Sequence, residues 1–128
     1  MSIGVIKFFA SVIFALIILR IILPARGVGQ ITTMELHGYL QDESIQFIDV
    51  RPPAHYERFH IFGFKNIPMR ELRKQAARLD KDRPVVTVCQ TGVHGNRACK
   101  RLKRYGFKKL MNVRGGLSAW EPIHPPRK

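Results

Sequence analysis

Residues 84–102 read PVVTVCQTGVHGNRACKRL, and the order of these residues decides the fold. Val85-Val86-Thr87-Val88, opened by Pro84, is a run rich in β-branched residues and reads as a short buried strand. Cys89 stands at its C-terminal end, and a loop to Gly95 follows, with glycines at 92 and 95. From Asn96 to Tyr105 the spacing predicts a basic amphipathic helix, with Ala98, Leu102 and Tyr105 inward and Gly106 as the stop. A strand that feeds a loop and then a helix is the start of a βαβ unit. In open α/β sheets ligands bind at the carboxyl ends of the strands, which is where Cys89 lies.

The loop supplies the chemistry. Gly92 and Gly95 allow a tight curve that turns successive backbone N–H groups inward. Together with the helix N-terminus they form an anion-binding nest over Gln90, Thr91, Gly92, Val93, His94 and Gly95. Such donors favour an anionic sulfur, and the thiolate is the reactive form of cysteine. The plainer role, a small apolar residue finishing a strand, fits a cysteine before a glycine loop less well.

The flanking sequence supplies the remaining elements. Thr32-Thr33-Met34-Glu35 has the form of a capping box and opens a helix to about Leu40. Ile45 to Val50 reads as a buried strand ended by Arg51-Pro52-Pro53. A helical turn over Ala54 to Phe59 and a brief strand near Phe64 to Ile67 follow. After Pro68, the residues Met69, Leu72, Ala76 and Leu79 recur at helical spacing. Leu110 to Val113 is a last strand, and Arg114-Gly115-Gly116 turns it into a short helix around Leu117 to Trp120. Strands alternating with helices imply an α/β fold, a parallel sheet with helices on both faces.

The first residues differ in kind. Residues 3–23 read IGVIKFFASVIFALIILRIIL, an apolar stretch broken only by Lys7 and Arg20. About 20 apolar residues cross a bilayer core, and both cations can snorkel from near the helix ends. The absence of an A-x-A-like site argues for a retained anchor over a cleaved signal. The expected organisation is a transmembrane anchor at 1–23, a linker at 24–30, a domain at 31–121 and a flexible tail at 122–128. Arg20 and Arg26 after the apolar stretch, against Lys7 and the amine before it, lean slightly toward a cytoplasmic domain.

Among the 128 residues, 22 Lys and Arg outnumber 9 Asp and Glu, giving a net charge of +13. That field favours anionic partners: a membrane surface, nucleic acid or an anionic substrate. No RNA-binding motif is visible, so nucleic acid is disfavoured. The basic helix bearing Arg97, Lys100, Arg101, Lys103 and Arg104 is open to contact with anionic lipid. The two cysteines, Cys89 and Cys99, form no CxxC and suit a reducing compartment. With His94 they supply three ligands in no usual zinc spacing, so no metal is expected. Cys99, on the helix, is expected to be a packed core cysteine.

Taken in order, these segments resemble the rhodanese family. The likeness runs from about Ile31 to Trp120: ITTMELHGYL, FIDVR at 47–51, AHYERFHIFGFKNIP at 54–68, CQTGVHG at 89–95 and GFKKLMNVRGGLSAW at 106–120. The resemblance implies a five-stranded parallel sheet with helices on both faces, here preceded by one transmembrane helix. It implies that Cys89 takes a sulfane sulfur from a small sulfur-containing anion such as thiosulfate, or from a persulfide donor. A thiol or cyanide then removes that sulfur, with no cofactor. It makes Asp49 and Arg51 an internal structural pair and His60 a structural residue packed in the core. The chain departs from the family pattern at His94, where the loop often carries Arg, Lys or Thr. A neutral imidazole offers less charge to thiosulfate, which weakens activity or makes it pH-sensitive, and Arg97 is the residue placed to compensate. Phe59 replaces a usual glycine and is expected to reshape the rim of the site.

Two other functions stay open at this point. One is a membrane-tethered docking or persulfide-binding module without catalysis. The other, less favoured, is a phosphatase or arsenate reductase of the same architecture. Those carry Arg after Cys and five residues, where this chain has Gly95.

Overall fold

The computed structural model describes residues 2–22 and 27–121. The tail at 122–128, the linker residues at 24–26 and the anchor's ends at 1 and 23 lie outside the described residues.

Five strands form one parallel sheet: β1 (Val28–Ile31), β2 (Gln46–Asp49), β3 (Lys65–Asn66), β4 (Val85–Val88) and β5 (Leu110–Val113). Their spatial order is β1-β5-β4-β2-β3, so β4 is central and delivers Cys89 to the middle of the sheet's carboxyl edge. The register pairs Val85 with Leu110 on one side and with Gln46 on the other. β1 corrects one expectation. Residues 28–30, read as linker, form one strand with Ile31 and pair with β5 from Val28–Leu110 to Ile31–Val113.

The helices are α1 (Ile3–Ile22), α2 (Thr33–Tyr39), α3 (Pro53–Arg58), α4 (Leu72–Gln75), α5 (Val93–Arg104) and α6 (Gly116–Trp120). The Thr32 hydroxyl accepts the Glu35 N–H at 3.1 Å, the first half of the capping box that opens α2. The segment expected as one helix over 69–79 is broken into the single α turn α4 between 3-10 turns at Met69–Glu71 and Ala76–Arg78.

Alternation along the strands sends side chains to two cores. Ile48, Val50, Val85, Cys89 and Leu110 pack with Leu72, Ala98 and Leu102 from α4 and α5. Phe47, Val86, Val88 and Val113 pack with Leu36, Leu117 and Trp120 from α2 and α6. Helices thus cover both faces, as buried parallel sheets require.

α1 stands apart from both cores. It is 20 residues long, none of them buried, and it is long and apolar enough to cross a membrane. A signal sequence has the same length and composition. The Lys100 Nζ donates to Arg20 O at 3.0 Å, joining the C-terminal end of α1 to α5.

Candidate active site

Cys89 directly follows β4 and is only 2% exposed. Its Sγ receives the Gly92 N–H at 2.9 Å. Gly92 has φ 97°, a left-handed turn that brings its amide back over the sulfur. α5 begins at the next residue, so Val93, His94 and Gly95 belong to its first turn and not to the loop. The loop is Cys89 to Gly92, and Gly92 makes its left-handed turn. No side chain caps α5, and the first-turn amides of a helix have no acceptor within it. The sulfur therefore sits at a helix N-terminus, where a negative charge is stabilised.

Gly95, expected to help the loop curve, does something else. A Cβ there would lie 2.2 Å from Asn112 Oδ1 and 3.3 Å from Thr87 Oγ1. Gly95 is what lets α5 approach the sheet. Asn112 is buried, and its Nδ2 donates to Gly92 O at 3.0 Å and to Gln30 Oε1 at 3.1 Å. The Thr87 hydroxyl donates to Gly95 O at 3.0 Å. These polar side chains tie the loop to β4 and β5 from beneath. Sequence reasoning missed Thr87, Asn112 and Gln30; the signal was a polar residue inside each of the apolar strands VVTV and LMNV. Gly95→Ala is expected to cost about 1–3 kcal/mol by overpacking, read as a lowered Tm, and to slow turnover by freeing Gly92 O.

The second wall is the turn after β5. Leu117 N donates to Cys89 O and Ser118 N to Gln90 O, each at 2.9 Å. Gly116, at φ 56°, would place a Cβ 2.1 Å from Cys89 O, so only glycine fits there. Gln90 is exposed, and its side chain reaches Ser118 Oγ at 3.2 Å and Arg51 at 3.5 Å.

Arg51 and Asp49 form an ion pair at 2.9 Å, with side chains 6% and 0% exposed. Arg51 also donates to Phe59 O at 2.6 Å. The half-buried Phe59 side chain packs against the core that faces away from the Cys89 side chain. His60 is not in the core. It is exposed, stacked on Tyr56 with centroids 3.8 Å apart, and its Nδ1 lies 2.8 Å from Tyr56 O. Ile61, 3% exposed, takes the buried place beside it.

His94 and Arg97 are exposed and line one cleft with Arg101, beside Val50 and Met69. Thr91 and Val93 are exposed on the other side, where they border a groove with Ile21 and Ile22 of α1. Among the described residues, no group of three or more His, Cys, Asp or Glu could hold a metal.

Cys99 is fully buried, with its sulfur 3.1 Å from Thr87 Oγ1. Burial pushes its thiol up from 9.0 to about 12, with the Cys89 charge adding and Thr87 opposing. An unfolded chain would lose this proton near 9.0, while the folded chain holds it to about 12. Stability is therefore unaffected below that range and falls as pH rises through it. Denaturant melts at about pH 8 and about pH 10.5 should show an alkaline loss that is smaller in Cys99→Ala.

Known proteins share this fold. The family model described as a rhodanese-like domain matches residues 32–122. The thiosulfate sulfurtransferase GlpE of Coxiella burnetii is 29% identical over 96 residues, 75% of this chain and 90% of that protein. The Bacillus subtilis protein YqhL is 37% identical over 75 residues, 59% of this chain, and the match spans only 60% of YqhL. The crystal structure of a rhodanese-like domain protein from Staphylococcus aureus superposes with a TM-score of 0.67 at 30% identity, covering 72% of this chain and 90% of that one. With the match spanning β2 to β5 and the whole cysteine loop, the chain belongs to the rhodanese family, a family of sulfurtransferases.

Proposed function

We propose that this protein moves sulfane sulfur through a Cys89 persulfide while anchored to the cell membrane by α1, with its domain on the cytoplasmic side. The observation that carries the reading is the Cys89 Sγ held by the Gly92 amide at the uncapped N-terminus of α5. The thiolate attacks the outer sulfur of thiosulfate or of a persulfide donor. A new S–S bond forms, the donor's own S–S bond breaks, and sulfite or a thiolate leaves with the electron pair. A thiophilic acceptor then takes the outer sulfur and returns the thiolate. This is covalent catalysis in two displacements. The amides around the loop offset the negative charge at each stage.

The anchor fits this account. The groove between α1 and α5 is lined by Arg20, Lys100 and Arg104 with Ile17 and Ile21, which suits anionic headgroups at an interface. The full chain in neutral detergent micelles should form thiocyanate from thiosulfate and cyanide. No product from thiosulfate or from an organic persulfide would sink the reading and favour a docking module.

A further inference from the structure

A groove of about 550 Å³ lies between the end of α1 and one face of α5. Its two walls differ in chemistry. Ile17 and Ile21 make the apolar wall, with Arg20 on the same face of α1. Arg97, Lys100, Arg101 and Arg104 make the cationic wall. At spacings of three and four residues they form a single stripe of α5. The stripe runs about 10 Å along the helix axis, at 1.5 Å per residue. Among the described residues no Asp or Glu lines the groove, and the recorded ion pair is Arg51–Asp49. The cations therefore line it together without a carboxylate among them. The Lys100 ammonium joins the two walls by donating to Arg20 O at 3.0 Å. That carbonyl lies in the last turn of α1, where no helical amide reaches it.

Like charges gathered this closely repel one another, and an anion seated among them relieves the repulsion. A free phosphate or a nucleic-acid backbone would satisfy the cations, but neither uses the apolar wall. That wall belongs to a helix long and apolar enough to cross a membrane, with no residue of it buried in the protein. An amphiphile uses both walls. Its phosphate lies on the stripe of α5 and its acyl chain runs along Ile17 and Ile21. Arg20 lays its stem on apolar surface and keeps its guanidinium at headgroup level. Basic pockets beside membrane helices take anionic headgroups in this way.

We infer that this groove is a binding site for one anionic phospholipid, and that the bound lipid holds α5 against the membrane face. The inference rests on the reading of α1 as a membrane anchor and is independent of the sulfur chemistry at Cys89. The same end of α1 borders the cysteine loop, where Ile21 and Ile22 line a groove with Thr91 and Val93. A lipid seated between α1 and α5 thus also fixes how far that loop stands from the bilayer.

Native mass spectrometry of the full chain tests this. The protein is released from neutral detergent micelles doped with phosphatidylglycerol, which is anionic, or with zwitterionic phosphatidylcholine. Wild type should retain phosphatidylglycerol about tenfold better than phosphatidylcholine. The surface variant Lys100→Gln/Arg104→Gln should lose that preference while melting as wild type does. Arg20→Gln, on the other wall, should weaken it in the same direction. Equal retention of both lipids by wild type, or an undiminished preference in both variants, would overturn the inference. Displacement of phosphatidylglycerol by inorganic phosphate would overturn it in favour of a free-phosphate site. Tighter capture of a short RNA, lost in the same variants, would overturn it in favour of nucleic acid. A carbonate wash of the full chain in phosphatidylcholine vesicles tests the anchor separately. Release of the chain would sink the anchor and the inference with it. A chain that stays in the vesicles but shows no headgroup preference in micelles would overturn the inference alone.

Discussion

Cys89→Ser should lose sulfur transfer by a thousandfold or more while keeping its fold. Nucleophile removal in covalent enzymes costs on the order of 10³–10⁶ in turnover, because no other group forms the intermediate. Two features of the site make the loss this complete. Cys99 is the other thiol, and it cannot substitute: it is fully buried and holds its proton to about 12. Serine is nearly the same size as cysteine, and its oxygen can accept the Gly92 N–H that the sulfur accepts now. The variant should therefore melt within about 1 kcal/mol of wild type, well below the cost of a core cavity. Thiocyanate formation and thermal melts on the two proteins give both numbers. Retained turnover in Cys89→Ser would move the chemistry elsewhere.

The largest stability effect is expected from Asp49→Ala. The Asp49 carboxylate takes hydrogen bonds from Arg51 Nε at 3.1 Å, from Arg51 Nη2 at 2.9 Å and from the Arg51 amide at 3.0 Å. Removing it leaves a guanidinium that is 6% exposed, whose remaining hydrogen-bond partners among the described residues are Phe59 O and the Gln90 side chain. Breaking a buried pair from one side costs about 3–5 kcal/mol. Against a total of about 5–15 kcal/mol for a domain, that is a large share. A Tm fall of roughly 15 °C or more follows for a domain of this size. Replacing both partners, Asp49→Leu with Arg51→Met, should recover much of the loss, because no uncompensated charge remains. Activity should fall even where the single variant still folds, since Arg51 also supports Gln90 in the cysteine loop.

The central strand was legible because a β-branched run bounded by proline and a loop has few other readings; β4 begins at Val85 and ends at Val88. The parallel arrangement followed from alternation of strands and helices. β1 was not legible, because Val28-Gly29-Gln30-Ile31 carries a glycine and a glutamine, and its pairing with β5 is a tertiary event. The start of α5 was misplaced for a physical reason. Two glycines looked like one flexible loop, but Gly92 makes the turn and Gly95 makes room for Asn112. His60 was misjudged because position in a motif does not fix burial, and the neighbouring Ile61 is the residue that turns inward. At the site, position alone marked Cys89 and the loop. The network beneath it depends on Asn112 and Thr87 meeting across adjacent strands, a contact that spans 25 residues of sequence.

The most direct test of the sulfur-transfer account is the intact mass of the protein after incubation with thiosulfate in neutral detergent micelles. Wild type should gain the mass of one sulfur atom, cyanide should remove it, and Cys89→Ser should gain nothing. No added sulfur on wild type, or the same addition on Cys89→Ser, would contradict a persulfide at Cys89.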